Sequence, residues 1–464
     1  MECTLQALLA ALSQGELRGT DTPLHGVSTD SRRIAAGNLF VALRGEHFDA
    51  HDFLPQAAAT GAAAVVAEAL PDGFGLPALL VPDTKQALLE IGHYWRSRFD
   101  LPLIGVTGSN GKTTVKEMLA AILTAACGSE HYLATRGNLN NEIGVPMTLL
   151  DLQSRHQAAV IEMGMNHPGE IAVLADCAKP TVVLVNNAQR EHQEFMQSVR
   201  AVAEENGAAI RALPLHGVAV FPHDDEFSAL WRAYANEGGQ RRVLSFGLTP
   251  GADVHATYVE QGFGSTLELF IDGSAQQVQL QAAGEHNVLN ALAAAACAQA
   301  IGIAAALIVS GLENFRPVQG RLQRHSAAGG ATVIDDTYNA NPDSVRAAID
   351  VLAQLGGDTI LVLGDMGEVG QQGALFHAEI GDYARARGVG TLFLFGELVS
   401  HSVSSFGAGA QHFSDLSSLL AALDARLTEH STVLVKGSRF MRMERVVAHL
   451  LAVKDSQQKI TGMH

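Results

Sequence analysis

The run Thr107, Gly108, Ser109, Asn110, Gly111, Lys112, Thr113, Thr114 joins a short apolar stretch to a helical one. Those residue types at that spacing suit phosphate chemistry. Glycines let backbone N–H groups turn inward around a polyphosphate, and a helix N-terminus adds partial positive charge. Lys112 supplies a point charge, and the Thr113 hydroxyl can meet Mg²⁺. The general P-loop pattern asks for glycine at position 106, where this chain has Val106. A motor or GTPase loop is therefore a poor fit.

Further candidates sit at the ends of other apolar runs. Glu162 ends Ala158 to Met163, where an open α/β sheet gathers its ligands. It could give Mg²⁺ one oxygen beside Thr113, or be an ordinary exposed carboxylate. His192 follows the run 181–186 and could bind a second divalent ion, or be one of 19 histidines with a structural role. Asn287 and Asn290 lie near the start of a long alanine-rich helix, where they could read an adenine edge or cap the helix. Arg321, after a Pro317–Gly320 turn, could reach a phosphate when two domains close. Asp335 to Pro342 crowds polar groups, among them Asp336, Asn339 and Asn341, at another strand end. Lys436, Ser438 and Arg439 end the last strand, a place suited to a carboxylate or phosphate.

The elements that must position these groups are legible as strand–helix alternation. In the helix that follows the glycine-rich turn, Val115, Met118, Leu119, Ile122 and Leu123 form one apolar face. Fully apolar strands alternating with helices predict a parallel sheet covered on both faces. Alternation at Leu267, Leu269, Ile271, Val278 and Leu280 around Asp272-Gly273 predicts a hairpin. Residues 319–464 read as a Rossmann-like domain, with strands at 331–335, 359–364, 391–395 and 432–436 and helices near 342–354, 373–387, 415–428 and 439–452. It has no GxGxxG, so no dinucleotide is implied. The fold class is α/β in three domains: 1–83, small and mixed; 84–318, a central P-loop domain with an antiparallel patch; and 319–464.

At 47% apolar and 17% charged, the 464-residue chain is not a disordered one. A formal charge of −17 argues against a nucleic-acid or anionic-membrane binder. Cys3, Cys127, Cys177 and Cys297 make no CxxC pair, so neither a zinc ribbon nor a disulfide framework is expected. The first 17 residues read as an amphipathic helix rather than a signal peptide, and nothing reads as a membrane span. A cytoplasmic protein without membrane insertion, and a monomer, is the expectation.

GSNGKTT, EMGMNHPGEI, GEHNVLNALAA, QGRLQ, DDTYNANPDS and VKGSR, in that order, resemble the Mur ligases. The resemblance covers essentially the whole chain. DDTYNANPDS, VLGDMGEVG (362–370) and GNLNNEIGVP (137–146) point within the family to the branch that adds D-alanyl-D-alanine to UDP-N-acetylmuramoyl-tripeptide. The Asp-Asn-Pro-Arg string of the branch that adds meso-diaminopimelate is absent.

The resemblance implies ATP-dependent amide formation through an acyl phosphate in peptidoglycan precursor synthesis. Its substrates would be ATP, the UDP-sugar peptide and D-Ala-D-Ala, with Mg²⁺ as cofactor. It also implies roles. Thr107 to Thr114 would hold phosphates. Thr113, Glu162 and His192 would hold Mg²⁺. Asn287 and Asn290 would contact adenine, and Arg321 and Asp336 would complete the nucleotide site. Lys112, Glu162, His192 and Arg321 would carry catalysis. Asn339, Asn341, Lys436, Ser438 and Arg439 would face the amine. Ser28, Asp30, Ser31 and Arg32, in STDSRRI, would lie near the UDP, as would FVALRGEHFDAHDF (40–53). Two departures stand out. Ala50 replaces a usual glycine, and Asn206 stands where many members have a carbamylated lysine that helps hold Mg²⁺, with Glu204 or Glu205 as substitutes. The other readings are a folylpolyglutamate-synthase-like ligase with a different amino-acid acceptor, or a non-catalytic homologue that binds nucleotide and UDP-sugar.

Overall fold

Leu103–Thr107 is buried along its whole length, and its side chains alternate between two cores. Ile104 and Val106 pack with Val115, Met118, Leu119 and Ile122 of the helix Lys112–Cys127, while Leu103 joins the opposite core. Ala158–Glu162 repeats the pattern, with Val160 on one side and Ile161 on the other. This is why the run lacks an apolar–polar alternation: both faces are covered.

The computed structural model describes residues 1–45 and 48–460. Glu46 and His47, within the 40–53 segment read above, and residues 461–464 lie outside the described residues. Leu103–Thr107 belongs to a nine-stranded sheet, parallel from Tyr132–Ala134 through Val254–Glu260 and closed by two antiparallel strands. Its neighbours, Ala158–Glu162 and Val182–Val185, lie on opposite sides of it. The chain therefore reverses direction across the sheet here, and a crevice opens at the strand carboxyl ends. The strands Ser265–Ile271 and Ser274–Leu280 are joined by Asp272 (φ 50°) and Gly273 (φ 72°), the two left-handed residues of a tight hairpin.

Thr332–Asp336, Ser431–Lys436, Asp358–Gly364, Thr391–Phe395 and Ala410–Phe413 form a parallel sheet, with Gln323–Ser326 antiparallel at its edge. A five-stranded sheet between Glu16 and Leu80 and a two-stranded ribbon precede the central sheet.

The two joints between these sheets differ in kind. One apolar core runs from Leu5, Leu24 and Leu39 through Trp95 and Leu103 to Val183 and Ala235, so the first and central sheets share it. The last sheet has cores of its own, to which Ala283 is the one buried contributor from before residue 319 among the described residues.

Two expectations change. At the N-terminus the helix is only Leu5–Leu9, capped by Thr4 and preceded by the strand Glu2–Thr4. The last helix begins at Glu444 rather than 439, because a 3₁₀ turn at Arg439–Met441 and a left-handed Arg442 come first.

Candidate active site

Gly111 (φ 83°) caps the helix Lys112–Cys127 and has no room for a side chain. A β-carbon there would lie 2.3 Å from Asn290 Oδ1 and 2.6 Å from Asn186 Nδ2. A frame of amides holds the loop. Asn186 Nδ2 donates to Asn110 O (2.8 Å) and Asn290 Oδ1 (2.9 Å), and Asn187 Oδ1 accepts from Asn110 N (2.8 Å). Asn206 Oδ1 accepts from Gly108 N at 2.9 Å and from the Thr107 hydroxyl. Thr107 and Gly108 are thus turned toward Asn206, and the cleft is lined from Ser109 onward. Asn206 is a strut behind the loop, and its Nδ2 is buried with no partner among the described residues. Asn287 Nδ2 donates to Ala283 O (2.8 Å), and Asn287 Oδ1 accepts from Asn290 Nδ2 (3.2 Å). Both line the cleft while bracing the same frame.

The crevice is a cleft of about 1400 Å³ between the central and last sheets. Ser109 to Thr114 form one wall, so the first-turn N–H groups of the helix, which have no intrahelical acceptor, come to its edge. Thr113 Oγ1 donates to Glu162 Oε2 (3.0 Å) and accepts from Arg321 Nη2 (2.9 Å). Asn140, from GNLNNEIGVP, donates to the other Glu162 oxygen at 2.8 Å. Arg321 stacks on Tyr338, its guanidinium 4.1 Å from the ring centroid. The Thr113–Glu162 oxygen pair fits Mg²⁺, which takes few protein oxygens beside phosphates and water.

His192 does not join that pair. No group of three or more His, Cys, Asp and Glu able to hold a metal ion occurs among the described residues. The ring lies between two carboxylates, with Nδ1 2.6 Å from Glu368 Oε2 and Nε2 3.4 Å from Glu191 Oε1. Burial alone would lower its pKa; Glu191 and Glu368 outweigh that and raise it to about 9. A protonated ring has no lone pair for a cation, so serving as a ligand would require His192 to give up its proton and turn from these carboxylates. His192 also has a left-handed backbone (φ 48°), a strain on the order of 1–3 kcal/mol held by its surroundings. Because the folded pKa lies above the unfolded 6.5, this contact favours the fold fully below about pH 6.5 and fades as pH rises through about 9. The ring-carbon NMR resonances of His192 should titrate with a midpoint near 9; a midpoint at the ordinary histidine value would remove the clamp.

Lys112 Nζ donates to Ser109 O (3.1 Å) and to Glu191 Oε1 (3.0 Å). The substitutes considered for a carbamylated lysine are spent elsewhere. Glu205 accepts from Gly169 N and Ile171 N, both at 2.8 Å, and Glu204 pairs with Arg200 at the surface.

On the opposite wall Asp336 Oδ2 accepts from the buried Lys436 Nζ (2.6 Å), which also donates to Asn339 O (2.9 Å). Ser438 Oγ donates to Asp365 O (2.5 Å), which leaves its oxygen able only to accept. Asn341 Oδ1 caps the helix Pro342–Leu355 through Ser344 N (2.8 Å), and its Nδ2 reaches Asn110 Oδ1 (2.9 Å) across the cleft. Asn341 is therefore a cap and a fastener as well as part of the cleft lining. Exposed Asn339 and Arg439 remain on the rim. Arg190 spans the same gap to Asp343 (2.6 Å) and Glu379 (2.7 Å).

Ser28, Asp30, Ser31 and Arg32 do not line this cleft. They form a self-braced turn. Arg32 Nε and Nη2 donate to Asp30 at 2.9 and 2.8 Å, and that contact, chiefly, holds the Asp30 carboxyl down to about 2.

Sequence reading missed Glu191, Glu368, Asn140, Asn186 and Asn187. Asn140 and Glu368 lay inside quoted motifs without a role. Asn186 and Asn187 end a strand beside the P-loop strand, which is the one signal that could have found them.

A P-loop helix at a sheet's switch point, facing a second parallel sheet across a polar cleft, defines a nucleotide-dependent α/β enzyme. The chain belongs to the Mur ligase family: Mur ligase middle domain matches residues 106–298, Mur ligase, glutamate ligase domain matches 320–439, and Mur ligase family, catalytic domain matches 23–74. It is 40% identical to the UDP-N-acetylmuramoyl-tripeptide–D-alanyl-D-alanine ligase of Escherichia coli, over 95% of this chain and 97% of that one. A crystal structure of MurF from Acinetobacter baumannii matches with a TM-score of 0.91 at 36% identity, covering 97% of this chain and 99% of that one. MurF from Thermotoga maritima, in complex with ADP, matches at 0.83 and 26%, over 93% and 98%. No helix among the described residues is long and apolar enough to cross a membrane.

Proposed function

We propose that this chain is the ATP-dependent ligase that joins D-alanyl-D-alanine to UDP-N-acetylmuramoyl-tripeptide, releasing ADP and phosphate. The observation that carries the reading is that Arg321, which leads into the last sheet, bonds the Thr113–Glu162 pair in the same cleft that Lys112 lines. The tripeptide's terminal carboxylate attacks the terminal phosphorus of ATP, and the bond to the ADP oxygen breaks. The amine of D-Ala-D-Ala, having lost its proton, then attacks the acyl carbon of the acyl phosphate, and phosphate leaves.

Lys112 and Arg321 offset charge on the transferring group. Mg²⁺, held by Thr113 and Glu162, would add a cationic field at the phosphates. Closure of the two sheets keeps water from the acyl phosphate. Ser28 to Arg32 would hold the UDP end, with Asp30 keeping the Arg32 fork in place. Asn339 and Arg439 on the rim would meet the incoming dipeptide.

The test is ADP release by the purified chain with each substrate omitted in turn. Release that requires both the UDP-tripeptide and D-Ala-D-Ala is expected; ATP turnover indifferent to both would sink the claim. A panel of other amine acceptors separates it from ligases of different specificity.

A further inference from the structure

We infer that Glu191 is an internal stand-in for the terminal phosphate of ATP, holding Lys112 and His192 in the nucleotide-free enzyme and giving way when that phosphate arrives. The inference rests on the reading of the cleft as an ATP site.

Glu191 lines the cleft beside the P-loop. One oxygen, Oε1, touches both cations, 3.0 Å from Lys112 Nζ and 3.4 Å from His192 Nε2. The lysine is the group that the loop offers to a terminal phosphate, and here it is already neutralised. Both partners are largely shielded from water, with side-chain exposures of 14% for Lys112 and 13% for Glu191, so the contact is not a screened surface pair. A carboxylate and a phosphate cannot share one ammonium at this depth without like-charge repulsion.

The contact is also incomplete. Glu191 Oε2 is buried and has no partner among the described residues. A buried acceptor left unpaired is unfavourable, and a phosphate, with three oxygens, can engage the same cations and the helix N–H groups together. The exchange of one anion for the other is therefore built into the site. A metal-ligand role for Glu191 is a poorer fit, because the Lys112 ammonium lies 3.0 Å from its Oε1 and would repel a cation.

The probes are ADP, which lacks the terminal phosphate, and the β,γ-methylene analogue of ATP, which has it. Each is titrated calorimetrically into the full-length chain with Mg²⁺. Glu191→Gln keeps the side-chain length; Glu191→Ala removes it. Thermal melts establish that each is folded, and the glutamine variant decides if the alanine variant is not. Binding of the analogue should tighten by about 5- to 10-fold, the scale of one partly buried ion pair, while ADP binding changes by less than about twofold.

Equal gains for both nucleotides would overturn the inference, since the effect would then be a general loss of negative field. Unchanged or weaker binding of the analogue would overturn it as well, weaker binding making Glu191 a ligand of the metal–nucleotide complex. The wild-type chain's own affinity for the analogue bears on the proposed function, whereas the ratio of variant to wild type bears on Glu191 alone.

Discussion

Lys112→Ala is expected to lower the turnover number by about 10²- to 10³-fold, the usual effect of removing one group aimed at developing charge. The loss should fall mainly on kcat, because the helix N-terminus and the amide frame still bind the nucleotide. The fold should survive. Lys112 stands at the first position of its helix, and its contacts are to Glu191 and to loop carbonyls rather than to the apolar core. Glu191 would keep His192 as a partner at the cost of a poorer pairing, so a loss of about 1–3 kcal/mol in stability is the upper scale. ADP release with all three substrates measures the first effect and a thermal melt the second. A variant as fast as the parent would remove the P-loop from the mechanism.

Glu162→Gln carries the other large effect. The two side chains have the same shape, so the packing around the position is kept. The charge is lost, and the new NH₂ group must face either Thr113 or the Asn140 amide, both of which now donate to the carboxylate. A site of two protein oxygens has no spare negative charge. The Mg²⁺ concentration giving half-maximal rate should rise by about 10- to 100-fold, with partial recovery at high Mg²⁺. A magnesium curve that does not move would exclude Glu162 from the cation site.

The parts legible in the sequence were those whose determinants lie close together along the chain. The helix at 112–127 announced itself by apolar spacing, and the 265–280 hairpin by Asp-Gly between alternating runs. GSNGKTT needed only its own seven residues and the strand and helix on either side. Strands of two or three residues, such as Val27–Ser28 and Tyr132–Ala134, give too short a pattern to read. The long-range contacts were not legible at all. The inward hydrogen bonds of Thr107 and Gly108 depend on Asn206, and the carboxylate beside His192 Nδ1 belongs to Glu368, far along the chain. Lys436 and Asn341 looked like free recognition groups because their partners, Asp336 and Asn110, come from other elements. A polar residue at a strand end shows where chemistry can gather; only the fold shows which polar atoms are already spent.

The unlike joints have a mechanical consequence. Where the first and central sheets share a continuous apolar core, separating them exposes hydrocarbon to water, so they should lose structure together as one cooperative block. The last sheet is fastened by charge and amide contacts at Arg190, Asn341 and Arg321, which water can replace. Heating the empty chain should then give two heat-absorption steps in a calorimeter. A nucleotide lying in the polar joint would touch both blocks at once and draw the two steps together.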